Sequence, residues 1–307
     1  MALRQIDNAL STLSSDHHRP KKPSKPAVAV LPSLPDLAAM SVEDESAATQ
    51  DAAAAAAVVV EYFESQDLQA LPDPEVKILG LADGLESKDW IKICESLNDV
   101  RRFAIHHPAM LLPISENVME VTVKAMKNPR SALCKTSIMA ASDIFVAFGD
   151  SLLLEETVST ESFDQLLLQL LLKASQDKKF VCEEADRALK SMVVSMSPLP
   201  LLHKLQKYVT HANPRIRAKA SVSVSHCVSK MGLDGAKEFG LVTLVQTALK
   251  LLNDRLPEAR EAARNTLVSL YEKFTENEEQ KLESWQIFCE SNLSVIQALA
   301  AIKVAPL

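Results

Sequence analysis

The side chains in this chain that could do covalent or acid–base chemistry are spaced in ways that decide what they can do. Two carboxylate pairs, Glu155-Glu156 and Glu183-Glu184, are adjacent in sequence. Neighbours on a helix diverge by about 100°, so neither pair can aim two carboxylates at one substrate atom, and solvated faces are the simpler assignment. His106-His107 precedes Pro108, at a helix end where imidazoles satisfy terminal carbonyls, and His203, His211 and His226 are singletons. Cys94, Cys134, Cys182, Cys227 and Cys289 are odd in number and widely spaced, with no C-x-x-C pair and no H-E-x-x-H pair. That is the usage of a reduced intracellular chain without a disulfide framework or a zinc site. The glycine motifs that cradle phosphates are missing, and six glycines could hardly build one. The expectation is therefore a non-enzymatic protein with no cofactor and no metal.

A second kind of chemistry, protein-surface recognition, is better supplied. Trp90 follows Asp89; Lys127, Asn128 and Arg130 surround Pro129; Lys178 and Lys179 follow Asp177; Asn213 and Arg215 flank Pro214; Arg255 follows Asp254. An indole followed by a cationic ridge suits a flat acidic surface, because Trp and Arg are favoured anchors and rim cations accelerate encounter. Such a ridge exists only if these five places, remote in sequence, are brought into line.

A repeat does that. The stretch Asn213-Pro214-Arg215-Ile216-Arg217 reads as an N-cap, a first-turn proline and the start of a helix. Counting Pro214 as position one, apolar, small and aliphatic residues follow at three, seven and eleven as Ile216, Ala220 and Val224. The same order recurs from Pro257 (Ala259, Ala263, Leu267), from Lys179 (Val181, Ala185, Leu189) and, more loosely, from Ser131 (Leu133, Ser137, Ala141). The starts lie 35–48 residues apart, the period of helical-hairpin solenoids. One hairpin cannot bury its own apolar face, so copies must stack, and stacking puts every intra-hairpin turn on one long edge. The predicted fold is an all-α solenoid of about six HEAT-like hairpins over residues 75–303. Within it, Met110–Met126 and Leu233–Leu252 are each read as a single first helix, Asp177 and Asp254 as N-caps, and Arg217 and Arg260 as partners of acids in the adjacent repeat.

The net charge of −7 is confined to residues 1–75, where 12 acidic residues face 5 basic ones; the remainder is balanced. A balanced solenoid carries no nucleic-acid footprint. Residues 1–74 are read as a disordered low-complexity tail, with the Lys/Pro-rich run Arg19–Pro26, the acidic Glu43-Asp44-Glu45 and a fragile helix at Ala52–Phe63. No secretory signal is expected at the N-terminus. No uninterrupted apolar segment reaches the ~18 residues that span a bilayer, so no membrane partner is expected.

At its turns the sequence resembles the TOG domains of microtubule regulators, of the CLASP and crescerin type. The resemblance lies in Asp89-Trp90 with Leu97 and Arg101-Arg102, Asn128-Pro129-Arg130-Ser131, Lys179-Phe180-Val181 with Glu184-Ala185, Asn213-Pro214-Arg215-Ile216-Arg217 and Pro257-Glu258-Ala259-Arg260, across about residues 75–300. It implies a paddle-shaped domain whose loop edge binds the αβ-tubulin dimer, in the cytoplasm and on microtubules. Trp90 would contact β-tubulin, with Lys127, Asn128, Arg130, Lys178, Lys179, Asn213, Arg215 and Arg255 continuing the edge towards α-tubulin. Ile91 and Leu256 depart from the family pattern, standing where a cation and a polar residue are expected. Two other readings compete. A general HEAT or armadillo adaptor would grip a peptide on its concave face and needs a ladder of Asn or aromatic residues along the inner helices; no regular one is found. A HEAT-like base-excision glycosylase is opposed by the balanced charge.

Overall fold

The computed structural model describes residues 62–154 and 157–305. Among these, helices pair in chain order, and the pairing follows from their turns. The first hairpin is α1 (Pro74–Leu85) and α2 (Trp90–His106), followed by a short α3 (Pro108–Leu111). Next come α4 (Ser115–Met126) with α5 (Ser131–Phe148), α6 (Thr160–Ala174) with α7 (Lys179–Ser195), and α8 (Pro198–Leu205) with α9 (Pro214–Lys230). A short α10 (Leu233–Phe239) precedes α11 (Leu241–Leu251) with α12 (Pro257–Phe274), and α13 (Lys281–Asn292) with α14 (Val295–Val304) closes the stack. The second helices α2, α5, α7, α9 and α12 lie side by side as one layer, each with the first helix of its own hairpin packed against it, and α14 of the last hairpin packs on α11 and α12.

The repeat register is what joins that layer. Position three (Leu133, Val181, Ile216, Ala259), position seven (Ser137, Ala185, Ala220, Ala263) and position eleven (Ala141, Leu189, Val224, Leu267) are all buried. Small residues at position seven let consecutive second helices approach closely, and the aliphatic positions either side fill the grooves. Ser137 keeps its hydroxyl satisfied in the core by donating 2.7 Å to the Cys134 carbonyl.

Two sequence expectations are corrected. The helix predicted over Met110–Met126 is broken, because Pro113 supplies no N–H and the chain passes through a 3-10 turn at Leu112–Ile114. The one predicted over Leu233–Leu252 is split at Gly240, whose φ of 109° an L side chain rarely adopts. Ser131–Leu153 is long and apolar enough, by length and composition, to cross a membrane. Within the solenoid it is the central helix α5 and its continuation, packed between α2 and α7. Its apolarity is that of a core helix, with Ile138, Ile144 and Phe145 buried.

The assignment of 1–74 as a tail also changes. Residues 1–61, with most of the Ala52–Phe63 stretch, lie outside the described residues. Residues 62–73 are described and pack on the solenoid: Leu68 is buried, and its carbonyl accepts a 2.8 Å hydrogen bond from His106 Nε2. This is where the imidazole finds its partner, rather than at the end of α2. His107 Nε2 is buried with no hydrogen bond among the described residues.

Candidate protein-binding edge

Each turn is built locally before it is joined to its neighbours. Asp89 caps α2, its Oδ1 accepting from the Ile91 amide at 3.0 Å, so Trp90 is the first helical residue. Asn213 caps α9 in the same way, accepting from the Arg215 amide at 3.0 Å, with Pro214 at the first helical position. Asn128 uses the same reach to close its turn, its Oδ1 accepting from the Arg130 amide at 2.9 Å. The sequence suggested Asp254 as the cap of α12, but it stands two residues before the N-cap Leu256, whose amide donates to Asp254 Oδ1 at 2.9 Å and tightens the turn. Asp177 caps nothing, and α7 starts from Lys178 without a side-chain cap.

Contacts between successive turns put them on one edge. The Arg130 guanidinium lies over the half-buried Trp90 ring, 5.1 Å from its centroid. Lys178 Nζ donates 3.1 Å to Ser131 Oγ, and Arg215 Nη1 donates 2.6 Å to Asp177 Oδ1 and 3.2 Å to the Ser175 carbonyl. Arg217 Nε then reaches Asp254 Oδ2 at 2.5 Å. First to second, second to third, third to fourth and fourth to fifth, each bend touches the next. Of the nominated cations, Arg130, Lys178 and Arg215 therefore also join neighbouring turns. Lys127 and Arg255 are exposed, and the Lys179 side chain is 87% exposed with Glu183 at 3.7 Å. Sequence reasoning missed Ser131 and Asp177 as connecting groups; a small polar residue just after N-P-R, and an acid just before two lysines, were the available signals.

Arg217 and Arg260 divide. Arg217 pairs with the acid of the next repeat, as expected, and also donates 2.7 Å to its own His211 carbonyl. Arg260 instead holds the carbonyls of its own turn, Asp254 at 2.8 Å and Arg255 at 3.0 Å. Burial alone would raise the Asp254 carboxyl, but the hydrogen bonds from Arg217 and the Leu256 amide, with the charges of Arg217 and Arg260, hold it below the ordinary value. A depressed carboxylate contributes its stability above the unfolded-state pKa of about 4 and loses it as pH falls through the lower folded value. Arg217→Ala is thus expected to cost ~1–3 kcal/mol at neutral pH, the Asp254 side chain being only 4% exposed. The difference from wild type should shrink below pH ~4. Urea titrations from pH 7 to pH 2 measure it, and a difference independent of pH would contradict the assignment.

The other reactive side chains do not converge. Burial pushes the Cys227 and Cys289 thiols up to about 12, which keeps them protonated and inert. Glu184 faces inward, Lys135 at 3.9 Å and Arg187 at 3.4 Å, while Glu183 faces solvent. Among the described residues no three His, Cys, Asp or Glu side chains gather as metal ligands would.

Stacked hairpins with their bends tied along one edge define a HEAT-type α-solenoid. The chain belongs to the CLASP N-terminal family, which matches residues 104–290, and with it to non-enzymatic modules. Over 211 residues it is 25% identical to the mouse TOG array regulator of axonemal microtubules protein 1, a match covering 67% of this chain and 12% of that protein. The chain thus corresponds to a small part of that relative's length. In fold it is similar to the TOG domain of Zyg9 from C. elegans, with a TM-score of 0.54, 16% identity, and coverage of 73% of this chain and 79% of that one. A chain solved in work on microtubule plus-end tracking by XMAP215, CLIP-170 and EB1 gives a TM-score of 0.56 and 15% identity, covering 77% and 92% respectively.

Proposed function

We propose that this chain binds tubulin or microtubules through its row of intra-hairpin turns and so regulates microtubule dynamics or organisation. The binding unit is the solenoid of about residues 75–303, acting in the cytoplasm on the microtubule cytoskeleton. The observation that carries the reading is the Trp90–Arg130 stack at the head of a continuous edge of cationic turns, in a chain of the CLASP N-terminal family. Trp90 meets β-tubulin, and Lys127, Asn128, Arg130, Lys178, Lys179, Asn213, Arg215 and Arg255 continue the edge towards α-tubulin. The half-buried indole is the anchor and the exposed cations steer encounter with an acidic surface. The relative's name, which ties it to axonemal microtubules, supports the same partner.

Gel filtration and co-sedimentation with purified tubulin test this. A single anchor truncation, Trp90→Ala, is expected to weaken binding by ~30-fold or more, the scale of an interface hot spot of 2 kcal/mol. Adding Lys178→Glu and Lys179→Glu should abolish the shift at tens of micromolar, and raising salt should mimic the charge reversals. If wild-type chain shows no shift, or if the triple variant binds as wild type does, the turn edge is not the tubulin site.

A further inference from the structure

Away from the turns, residues 62–68 cross the layer of second helices, and every one of three helices contributes to the crossing. Tyr62 lies under Lys135 Nζ of α5, 4.4 Å from the ring centroid, and Glu64 meets Arg187 of α7 at 3.3 Å. Ser65 Oγ donates 2.6 Å to Asp143 Oδ1 of α5. From α2, Arg101 Nη2 donates 2.8 Å to the Phe63 carbonyl and lies 3.4 Å from Ser65 Oγ. Leu68, 3% exposed, fills the far end, its carbonyl taken by His106. The backbone is extended at Glu64 and at Leu68, with one 3-10 turn between them.

The two sides of this contact are unequal. On the solenoid, Arg101 and Asp143 are 1% and 6% exposed and joined at 2.7 Å, and Arg101 Nη1 is steadied by Asn98 at 3.2 Å. Yet the acceptors of Arg101 Nη2 and the donor to Asp143 Oδ1 all belong to residues 62–68. Buried charged groups require such partners, so this face is built to receive an extended chain. It reads main-chain carbonyls with Arg101 and His106, a hydroxyl with Asp143, a carboxylate with Arg187 and an apolar side chain where Leu68 sits. On the segment, by contrast, Tyr62 and Glu64–Asp67 are exposed and Leu68 alone is buried. A segment with one buried side chain opens at lower free energy than the helices beneath it.

We propose that the α2–α5–α7 face is a peptide-binding groove occupied in cis by residues 62–68. When they lift away it takes a segment of a partner protein with an aromatic residue, an acid two positions on, Ser or Thr next, and Leu three further. The internal segment is a competitor that lowers apparent affinity by the fraction of time it stays seated. The groove is separate from the turn edge, since Trp90 and Ser131 open α2 and α5 whereas Arg101 and Asp143 lie in their later turns.

The probe is a fluorescent peptide of sequence Tyr62–Leu71, titrated by anisotropy against the whole chain and against a whole-chain variant carrying Glu64→Ala and Leu68→Ser. The variant is expected to bind at least ~10-fold more tightly than wild type, its own competitor being weakened. Adding Arg187→Glu to it should weaken binding, and a peptide with Glu64→Arg should restore it. Equal affinity for wild type and variant, no binding to either, or indifference to the charge swap would overturn the proposal. Should the variant lose its helical circular dichroism, hydrogen exchange on wild type decides instead. The Asp67 and Leu68 amides must exchange well before those of α5, and equal protection would make residues 62–68 a fixed part of the core and end the proposal.

Discussion

Replacing Arg101 with alanine lowers the unfolding free energy by about 3–5 kcal/mol, the scale set by breaking a buried ion pair from one side. Asp143 would remain with its Oδ2 facing the space that the guanidinium filled, between two helices that pack along their length. The loss spreads beyond the pair, because Asn98 and the Phe63 carbonyl each lose a donor. The pair itself is worth much less than its rupture: desolvating both charges offsets most of their attraction. Changing both residues together, Arg101→Met with Asp143→Leu, should therefore recover much of the stability, while residues 62–68, left without partners for Phe63 and Ser65, exchange their amides faster. Urea titration followed by circular dichroism, with hydrogen exchange on the double variant, separates these effects. A single variant within 1 kcal/mol of wild type would mean that water reaches the site and the pair is not isolated.

The hairpin register was legible because it is enforced by volume. Positions three, seven and eleven face a neighbouring helix in every copy, so their side chains cannot vary freely, and from them both the stacking and the edge of turns could be read before any coordinates. What escaped was set by single groups rather than by period. Asp177 and Asp254 stand one and two residues before the N-cap positions, which fall to Lys178 and Leu256, so their carboxylates meet Arg215 and Arg217 instead, Asp254 keeping the Leu256 amide on its other oxygen. Arg101 falls between Leu97 and Ala104 on a buried helical stripe, and a guanidinium in such a stripe signals a buried partner; nothing in the sequence says that the partner is Asp143, 42 residues on. Residues 62–73 were hidden by composition, since the polar and acidic groups that mark a tail, Ser65 and Glu64, are also what meets Arg101 and Arg187. The edge itself could be nominated only residue by residue, and the finding that Arg130, Lys178 and Arg215 link turn to turn means that charge reversal there alters the alignment of the edge as well as its potential. Lys127 and Arg255, exposed on that edge, are the positions where charge can be tested apart from alignment.

Trp285→Ala is expected to release the last hairpin while leaving the first intact. Trp285 is fully buried and is the bolt between the fifth and sixth hairpins, stacked on Phe288 with centroids 5.3 Å apart and set edge-on to Tyr271 and Phe274 of α12 at 5.8 and 5.7 Å. Cys289 is the other buried residue of α13, and Phe288 adds a contact to Phe274 of α12 with centroids 4.8 Å apart, so Trp285 sits at the centre of the small aromatic contact that holds that helix down. Removing a buried tryptophan costs ~3–5 kcal/mol, and in a stack where each repeat contacts only its neighbours that cost falls on the terminal unit. The chain has two tryptophans, so in this variant the remaining fluorescence comes from Trp90 and reports the opposite end. Limited proteolysis should cut within α13 and α14 at temperatures where Trp90 emission is unchanged, whereas wild type resists. Trp285→Phe should cost far less, because it keeps most of the aromatic contact and removes an indole N–H that has no hydrogen-bond partner among the described residues. If instead the alanine variant loses both ends in one transition, the solenoid is a single cooperative unit, and strain at the sixth hairpin travels to the Trp90 edge some five repeats away.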